Sequence, residues 1–270
     1  MNDMELDKDV LYEMIFKRKS FHLFKNTGNQ TITKSELELI QETYTKLSPL
    51  YTNIKTKMEI VAGDMTTCQR GQEYCLLFYS EKKNNYLQNI GYIGQQLDLF
   101  LASMNIGGLW FGIGKPKIEM NKGMEFVIML AIKKIDDETK FRKDMFKSKR
   151  KVLEDIWHGE YIEGVSNIVR FAPSACNLQP WLVEYHQSIL KVYRFQIDHR
   201  RGIMPANKVT YYQRIDMGIF LCVLELCLKH CHLDYTRYLY DDFEFDQQNA
   251  LQAEYKINNG GHCFESLSKK

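Results

Sequence analysis

Four short stretches hold residues whose types and spacing could do chemistry. Pro173-Ser174-Ala175-Cys176-Asn177-Leu178-Gln179-Pro180-Trp181 packs a hydroxyl, two side-chain amides and two bracketing prolines into one turn. Such a turn can set backbone N–H and C=O groups against a flat polar ligand. Arg18-Lys19-Ser20-Phe21-His22 offers an arginine fork and a hydroxyl, a set that suits a phosphate. Asn105-Ile106-Gly107-Gly108-Leu109-Trp110-Phe111-Gly112 lacks Cβ atoms at three positions, which lets a backbone lie close to a ring. The basic run Lys147-Ser148-Lys149-Arg150-Lys151 supplies further phosphate ligands, with Arg150 first and Lys149 second.

These residues must be held by the elements around them. A short helix is expected over 9–17, just before Arg18. Thr33-x-x-Glu36 has the form of a capping box and opens a second helix through Leu37, Ile40, Tyr44 and Leu47. Strands are expected at 58–61, 74–79 and 126–132. A long helix over 86–104 carries Ile90, Ile93, Leu97, Phe100, Leu101 and Met104 at helical spacing. It stops at Asn105, and the glycine-rich stretch that follows reads as a connection. After a charged segment near 136–151, helices are expected over 151–157 and 161–171, then strands at 181–186 and 189–195. A second long helix over 212–230 follows, with strands near 235–240 and 253–257 and a frayed tail from Asn258. The order of elements repeats. Ile93-Gly94 and Met217-Gly218 stand as a small motif shared by the two long helices, and Lys229-His230-Cys231-His232 falls where the first half has its glycines. Two α+β halves, 1–150 and 151–270, packed through their long helices are the expected architecture.

Bulk properties narrow the function. With 270 residues, 44% hydrophobic and 26% charged, the chain is a globular protein with a sizeable core. A net charge of +2 and the scatter of aromatic residues among core-like segments argue against nucleic acid. Residues 1–9 hold four acidic groups and no apolar run, and no stretch is apolar enough to span a bilayer, so neither export nor membrane insertion is expected. Seven cysteines without a C-x-x-C pair fit a reduced, cytoplasmic protein. Cys222, Cys227 and Cys231 near His230 and His232 could suggest a metal, but they read as a buried helix, and no metal is expected.

Three of the stretches together resemble the nitroreductase family of flavoenzymes. The proline loop is similar to that family's Pro-Ser-x-x-Asn-x-Gln-Pro-Trp loop, 18–22 to its Arg-x-Ser-x-(Arg/Lys) motif with His22 at the second basic position, and 105–112 to its Gly-x-Gly-x-x-Trp-x-Gly segment with Asn105 at the first glycine. The resemblance implies an α+β nitroreductase-like fold of two pseudo-symmetric three-layer α/β/α halves, fused in one chain as an internal pseudo-dimer and so monomeric. It implies one FMN site between the halves. Arg18, Ser20, Lys149 and Arg150 would hold the phosphate, Ile106 and Gly107 would face flavin N5, Lys19 or His22 would neutralise the reduced ring, and Pro173, Ser174, Ala175 and Asn177 would form the other wall. No catalytic side chain is required, since the chemistry lies at N5. NADH or NADPH would supply hydride, and a nitroaromatic, a quinone or a similar acceptor would take it. A flavin carrier or sensor without efficient turnover is the alternative reading.

Overall fold

The chain opens with α1 (Lys8–Lys17) and α2 (Lys34–Lys46), then builds two sheets, each around a long helix. The structure is a computed structural model and describes residues 7–118, 121, 123–195, 204–242 and 249–258. The tail expected from Asn258 therefore lies, beyond that residue, outside the described residues. Asp7 caps α1 by accepting from the N–H of Asp9, and the Thr33–Glu36 capping box opens α2 as its spelling predicts.

The first sheet contains β1 (Thr56–Ala62), β2 (Tyr74–Ser80), β3 (Ile106–Phe111) and β4 (Glu125–Lys134), with α3 (Tyr86–Ser103) between β2 and β3. Its spatial order is β1-β2-β4-β3, antiparallel throughout. The second sheet contains β5 (Trp157–Gly159), β6 (Trp181–His186), β7 (Ile189–Phe195), β8 (Asp234–Leu239) and β9 (Asn249–Asn258). Within it α4 (Ser166–Val169) precedes β6, and α5 (Val209–His230) lies between β7 and β8. The order is β5-β6-β7-β9-β8, with β5 parallel to β6 and the other pairs antiparallel. Apart from β5, the second sheet repeats the strand order of the first around its own long helix. The boundary expected at 150/151 falls between β4 and β5.

Several local expectations are corrected. Residues 106–111 form a strand rather than a connection: Asn105 turns the chain in one left-handed step (φ 56°), and Ile106 pairs with Lys134 at once. The glycines of this strand hid its alternation. Residues 151–157 and 161–171 do not form helices beyond a 3-10 turn at Leu153–Asp155 and the short α4. Gly159 and Gly164 adopt positive φ between them, and Trp157 is drawn into the sheet opposite Val183. The last strand begins at Asn249, before the expected 253.

Burial of α3 and α5 along nearly their whole length makes their crossing the centre of the core. A Cβ on Gly91 would fall on the carbonyl oxygen of Ile215, and one on Gly218 would fall on that of Gln88. The helices thus meet backbone to backbone, a separation only glycine permits. One shift of 127 residues relates Gly91 to Gly218 and Gln88 to Ile215, and it also relates Asn105 (φ 56°) to His232 (φ 52°). The partner of Gly218 in the repeat is therefore Gly91. Gly94 has a separate task, leaving room for the ring of Trp110. By the same shift the counterpart of 105–108 is His232–Tyr235, not Lys229–His232. Cys222 and Cys227 are buried in α5, and the His230 ring stacks on Tyr12 at 3.7 Å. Among the described residues no group of three or more His, Cys, Asp or Glu side chains is placed to hold a metal ion. No helix among them is long and apolar enough to cross a membrane.

Gly218→Ala should force the two helices apart and lower the stability by about 1–3 kcal/mol, the usual cost of overpacking. Urea unfolding checks this, and a Gly218→Ala protein as stable as its parent would mean the crossing is looser than described.

Candidate active site

Arg18 caps α1 and turns inward. Its Nε donates to Asp98 Oδ2 on α3 at 2.7 Å, and both side chains are almost wholly buried. Trp110 Nε1 donates to the same oxygen at 3.0 Å, so Asp98 fixes both the arginine and β3. Arg18 Nη2 is buried without a hydrogen-bond partner. Two further guanidinium groups stand close by. Burial and then the neighbouring Arg18 and Arg150 charges push Arg142 down to about 10. Burial and then Arg18 and Arg170 do the same to Arg150. Arg150 Nε is likewise buried and unpartnered. Arg18, Arg142 and Arg150 thus stand close together, with Asp98 bonded to Arg18 and near Arg142, an excess of positive charge in a half-dry setting that favours an anion.

Beside this cluster lies a cavity of about 280 Å³. One wall comes from the first sheet and its loops: Ser20, His22, Arg70, Ile128 and the run Leu109–Ile113. The other comes from Pro173, Ser174, Ala175 and Cys176 together with Tyr212, Ile215, Asp216 and Ile219 of α5. Ser20 reaches the cavity because it bridges to Gly108 at the free edge of β3, with the Phe21 N–H donating to the Gly108 carbonyl at 3.1 Å.

The proline loop is held in a strained shape. Cys176, Asn177 and Gln179 all have left-handed φ. Ser174 Oγ accepts from the Gln179 N–H at 3.0 Å, and Gln179 Oε1 accepts from the Lys151 N–H at 2.9 Å. Asn177 ties the loop to the basic run: its Oδ1 accepts from Arg150 Nη1 at 2.8 Å, and its Nδ2 donates to the Lys149 carbonyl at 3.1 Å. The Ala175 N–H donates to Asp216 at 3.0 Å, which pins the loop to α5.

The family model described as "Putative TM nitroreductase" matches residues 10–228. The chain belongs to this nitroreductase family. A Thermotoga maritima protein described in the same terms has the same fold, with 15% identity and a TM-score of 0.59 over 92% of this chain and 94% of that one. A nitroreductase family protein of Clostridium difficile (10% identity, TM-score 0.44) is matched over 56% of this chain and 98% of its own. A Desulfovibrio desulfuricans protein, solved in complex with FMN (13% identity, TM-score 0.40), is matched over the same shares, 56% and 98%. No curated protein matches the chain significantly.

Within this family member, the residues singled out from sequence divide into three groups. Ser20, His22, Pro173, Ser174 and Ala175 stand on the cavity wall. Arg18 and Arg150 stand in the arginine cluster beside it, with Asn177 and the Lys149 carbonyl bracing Arg150. Ile106, Gly107 and Lys19 stand elsewhere. Ile106 is buried in the core, Gly107 lies under the Phe21 ring, and Lys19 Nζ sits 5.0 Å from that ring's centroid. Because 106–111 is a strand, its cavity end begins at Leu109, so the wall lies three to seven residues later than the motif suggested. Arg142, Arg70 and Asp216 were not anticipated. Arg70 stands over the Phe111 ring at 5.6 Å, on the cavity wall.

The shift of 127 residues carries Asp98 onto Glu225, Trp110 onto Arg237 and Asp216 onto Asn89. The roles match. Arg237 donates to Glu225 at 2.6 Å as Trp110 donates to Asp98, and Asn89 accepts from the Tyr51 N–H at 2.9 Å as Asp216 accepts from Ala175. The hydroxyls of Tyr92, Tyr235 and Tyr255 also converge on Glu225, and only about 50 Å³ remains open there.

Burial pushes the Asp216 carboxyl well above the usual range, although the Ala175 N–H pulls the other way. The folded protein therefore keeps a proton that the unfolded chain releases near pH ~3.9. That mismatch costs nothing below the unfolded value and grows as pH rises above it. Asp216→Asn, which keeps an acceptor for Ala175 as Asn89 does for Tyr51, should be more stable than the parent at pH 8 and equal to it at pH 3. Urea midpoints at the two pH values check this.

Proposed function

We propose that the chain is an FMN-dependent oxidoreductase that passes hydride from NADH or NADPH to a nitroaromatic, a quinone or a similar acceptor. The observation that carries this reading is the cluster of Arg18, Arg142 and Arg150 with two buried, unpartnered guanidinium nitrogens, joined through Asp98 and Trp110 to a largely apolar cavity. An anion at one end and a flat ring at the other is the shape of a flavin mononucleotide, and the donor set fits its phosphate. Ser20, at the junction of cluster and cavity, adds a hydroxyl donor.

The bound flavin would supply hydride transfer at N5. The chain's own residues bind, orient and shield. Asp98 holds Arg18, whose Nη2 stays free for the anion, and Asn177 holds Arg150, whose Nε stays free. The backbone of Leu109–Ile113, on the cavity wall, would supply donors to the ring edge, the task the sequence reading gives to Ile106 and Gly107. Arg70 or His22, both on the wall, would offset negative charge on a reduced ring. Pro173–Cys176 and α5 cover the opposite side and exclude water.

The repeat supports one flavin per chain. At the equivalent place in the other half, Glu225, Arg237 and three tyrosines fill the volume a cofactor would need. In this reading the halves 1–150 and 151–270 form an internal pseudo-dimer, and the chain works as a monomer.

Arg18 is a poor target for a test, because stripping its charge strands Asp98 in the core at a cost of about 3–5 kcal/mol. Arg142 has no such partner among the described residues. Arg142→Gln should weaken FMN by about 1.5–3 kcal/mol, roughly tenfold to a hundredfold, while leaving the thermal midpoint of the flavin-free protein near its parent's. Flavin fluorescence titration reads the affinity. Equal affinity in Arg142→Gln and parent, or an FMN-loaded protein that neither NADH nor NADPH bleaches under anaerobic mixing, overturns the assignment.

A further inference from the structure

A second cavity, about 560 Å³, adjoins the ring cavity and shares Gly112, Ile113 and Tyr212 with it. The partition between the two is thin. Tyr212 Oη donates to the Gly112 carbonyl at 2.6 Å, and its ring lies where a Cβ on residue 112 would stand, so the tyrosine rests flat on a glycine.

The walls of this outer chamber are aromatic and its rim is cationic. Tyr79 and Phe126 meet edge to face at 5.7 Å, and Tyr211 is fixed by its hydroxyl to the Val127 carbonyl at 2.9 Å. Lys208 Nζ hangs 4.4 Å from the Tyr211 ring centroid, and Lys115 stands on the same rim. The acid among the lining residues, Glu125, is engaged by Lys82 at 3.3 Å and by the Tyr86 hydroxyl. Tyr79, only 2% exposed, contributes its side chain to the wall, and its buried hydroxyl lies beside the Asn121 side chain.

We propose that this chamber is a second ligand site, taking an aromatic ring that carries an anionic group, with Tyr212 as the partition between it and the flavin cavity. The aromatic walls stack the ring, and Lys115 and Lys208 meet the charge. This rests on the oxidoreductase reading for its purpose, though not for its binding chemistry. Two sources share that chemistry: the adenosine-phosphate end of the nicotinamide dinucleotide, and an aromatic acid that serves as acceptor.

The test is calorimetric titration of the full chain, with and without saturating FMN, using ADP-ribose and 4-nitrobenzoate as probes and adenosine and 4-nitrobenzamide as their neutral controls. At least one anionic probe should bind. The double variant Lys115→Glu/Lys208→Glu should weaken that probe tenfold or more, change its neutral control less than twofold and leave FMN content unaltered. Loss confined to ADP-ribose assigns the chamber to the reductant, and loss confined to 4-nitrobenzoate assigns it to the acceptor. Failure of both anionic probes to bind, or equal binding by the charge-reversed and parent proteins, overturns the proposal. A protein that binds the probe but ignores FMN instead overturns the flavin reading and spares this one.

Discussion

Where α3 crosses α5, neither helix carries a Cβ at the point of contact, so the carbonyl oxygens of Gln88 and Ile215 occupy space that side chains would otherwise fill. Everything that matters for the site follows from that closeness. Asp98 lies two turns beyond Gly91 on α3, and Asp216 lies just before Gly218 on α5. With the helices in backbone contact, the arginine held by Asp98 and the loop pinned by Asp216 face one space. A wider crossing would open the cavity between the two walls and let water reach both carboxyl groups.

The electrostatics of that space are unbalanced by design of the fold. Arg18 is bonded to Asp98, and its charge lowers the affinity of both Arg142 and Arg150 for a proton. At the equivalent place Glu225 is bonded differently, by one guanidinium and three phenols, and only about 50 Å³ stays open. The same scaffold thus carries an anion-hungry arrangement on one side and a self-satisfied one on the other. Position 110 shows the divergence most directly. A tryptophan there donates one hydrogen bond and leaves Arg18 free at one end, whereas the arginine at its counterpart, 237, spends its charge on the carboxylate itself.

Much of this was legible in the chain and some was not, for reasons tied to particular residues. The capping box at Thr33, the stripes of α3 and α5, and the proline loop announce themselves because local spacing determines them. The strand at 106–111 did not, because two glycines interrupt its alternation and its pairing with β4 is long-range. Consequently Ile106 and Gly107 were assigned a wall that belongs to Leu109–Ile113. Arg142 looked like one basic residue among many in a charged segment. Only folding places it beside Arg18, through the hydrogen bond from its N–H to the Lys17 carbonyl. Asp216 sat unnoticed on an apolar helix, although an acidic residue in such a helix is itself a signal. The helix repeat was seen but aligned on the wrong glycine, because Gly94 and Gly218 look alike in sequence and serve different contacts.

Both walls of the cavity belong to one polypeptide, joined through the segment between β4 and β6. In a site shared by two separate chains, dilution pulls the walls apart and the occupied fraction falls with protein concentration. Here the facing wall is always present at an effective concentration set by the connecting segment. Assembly of the site is therefore a unimolecular event, and a cofactor held in it would feel the stability of a fold rather than the dissociation constant of a dimer.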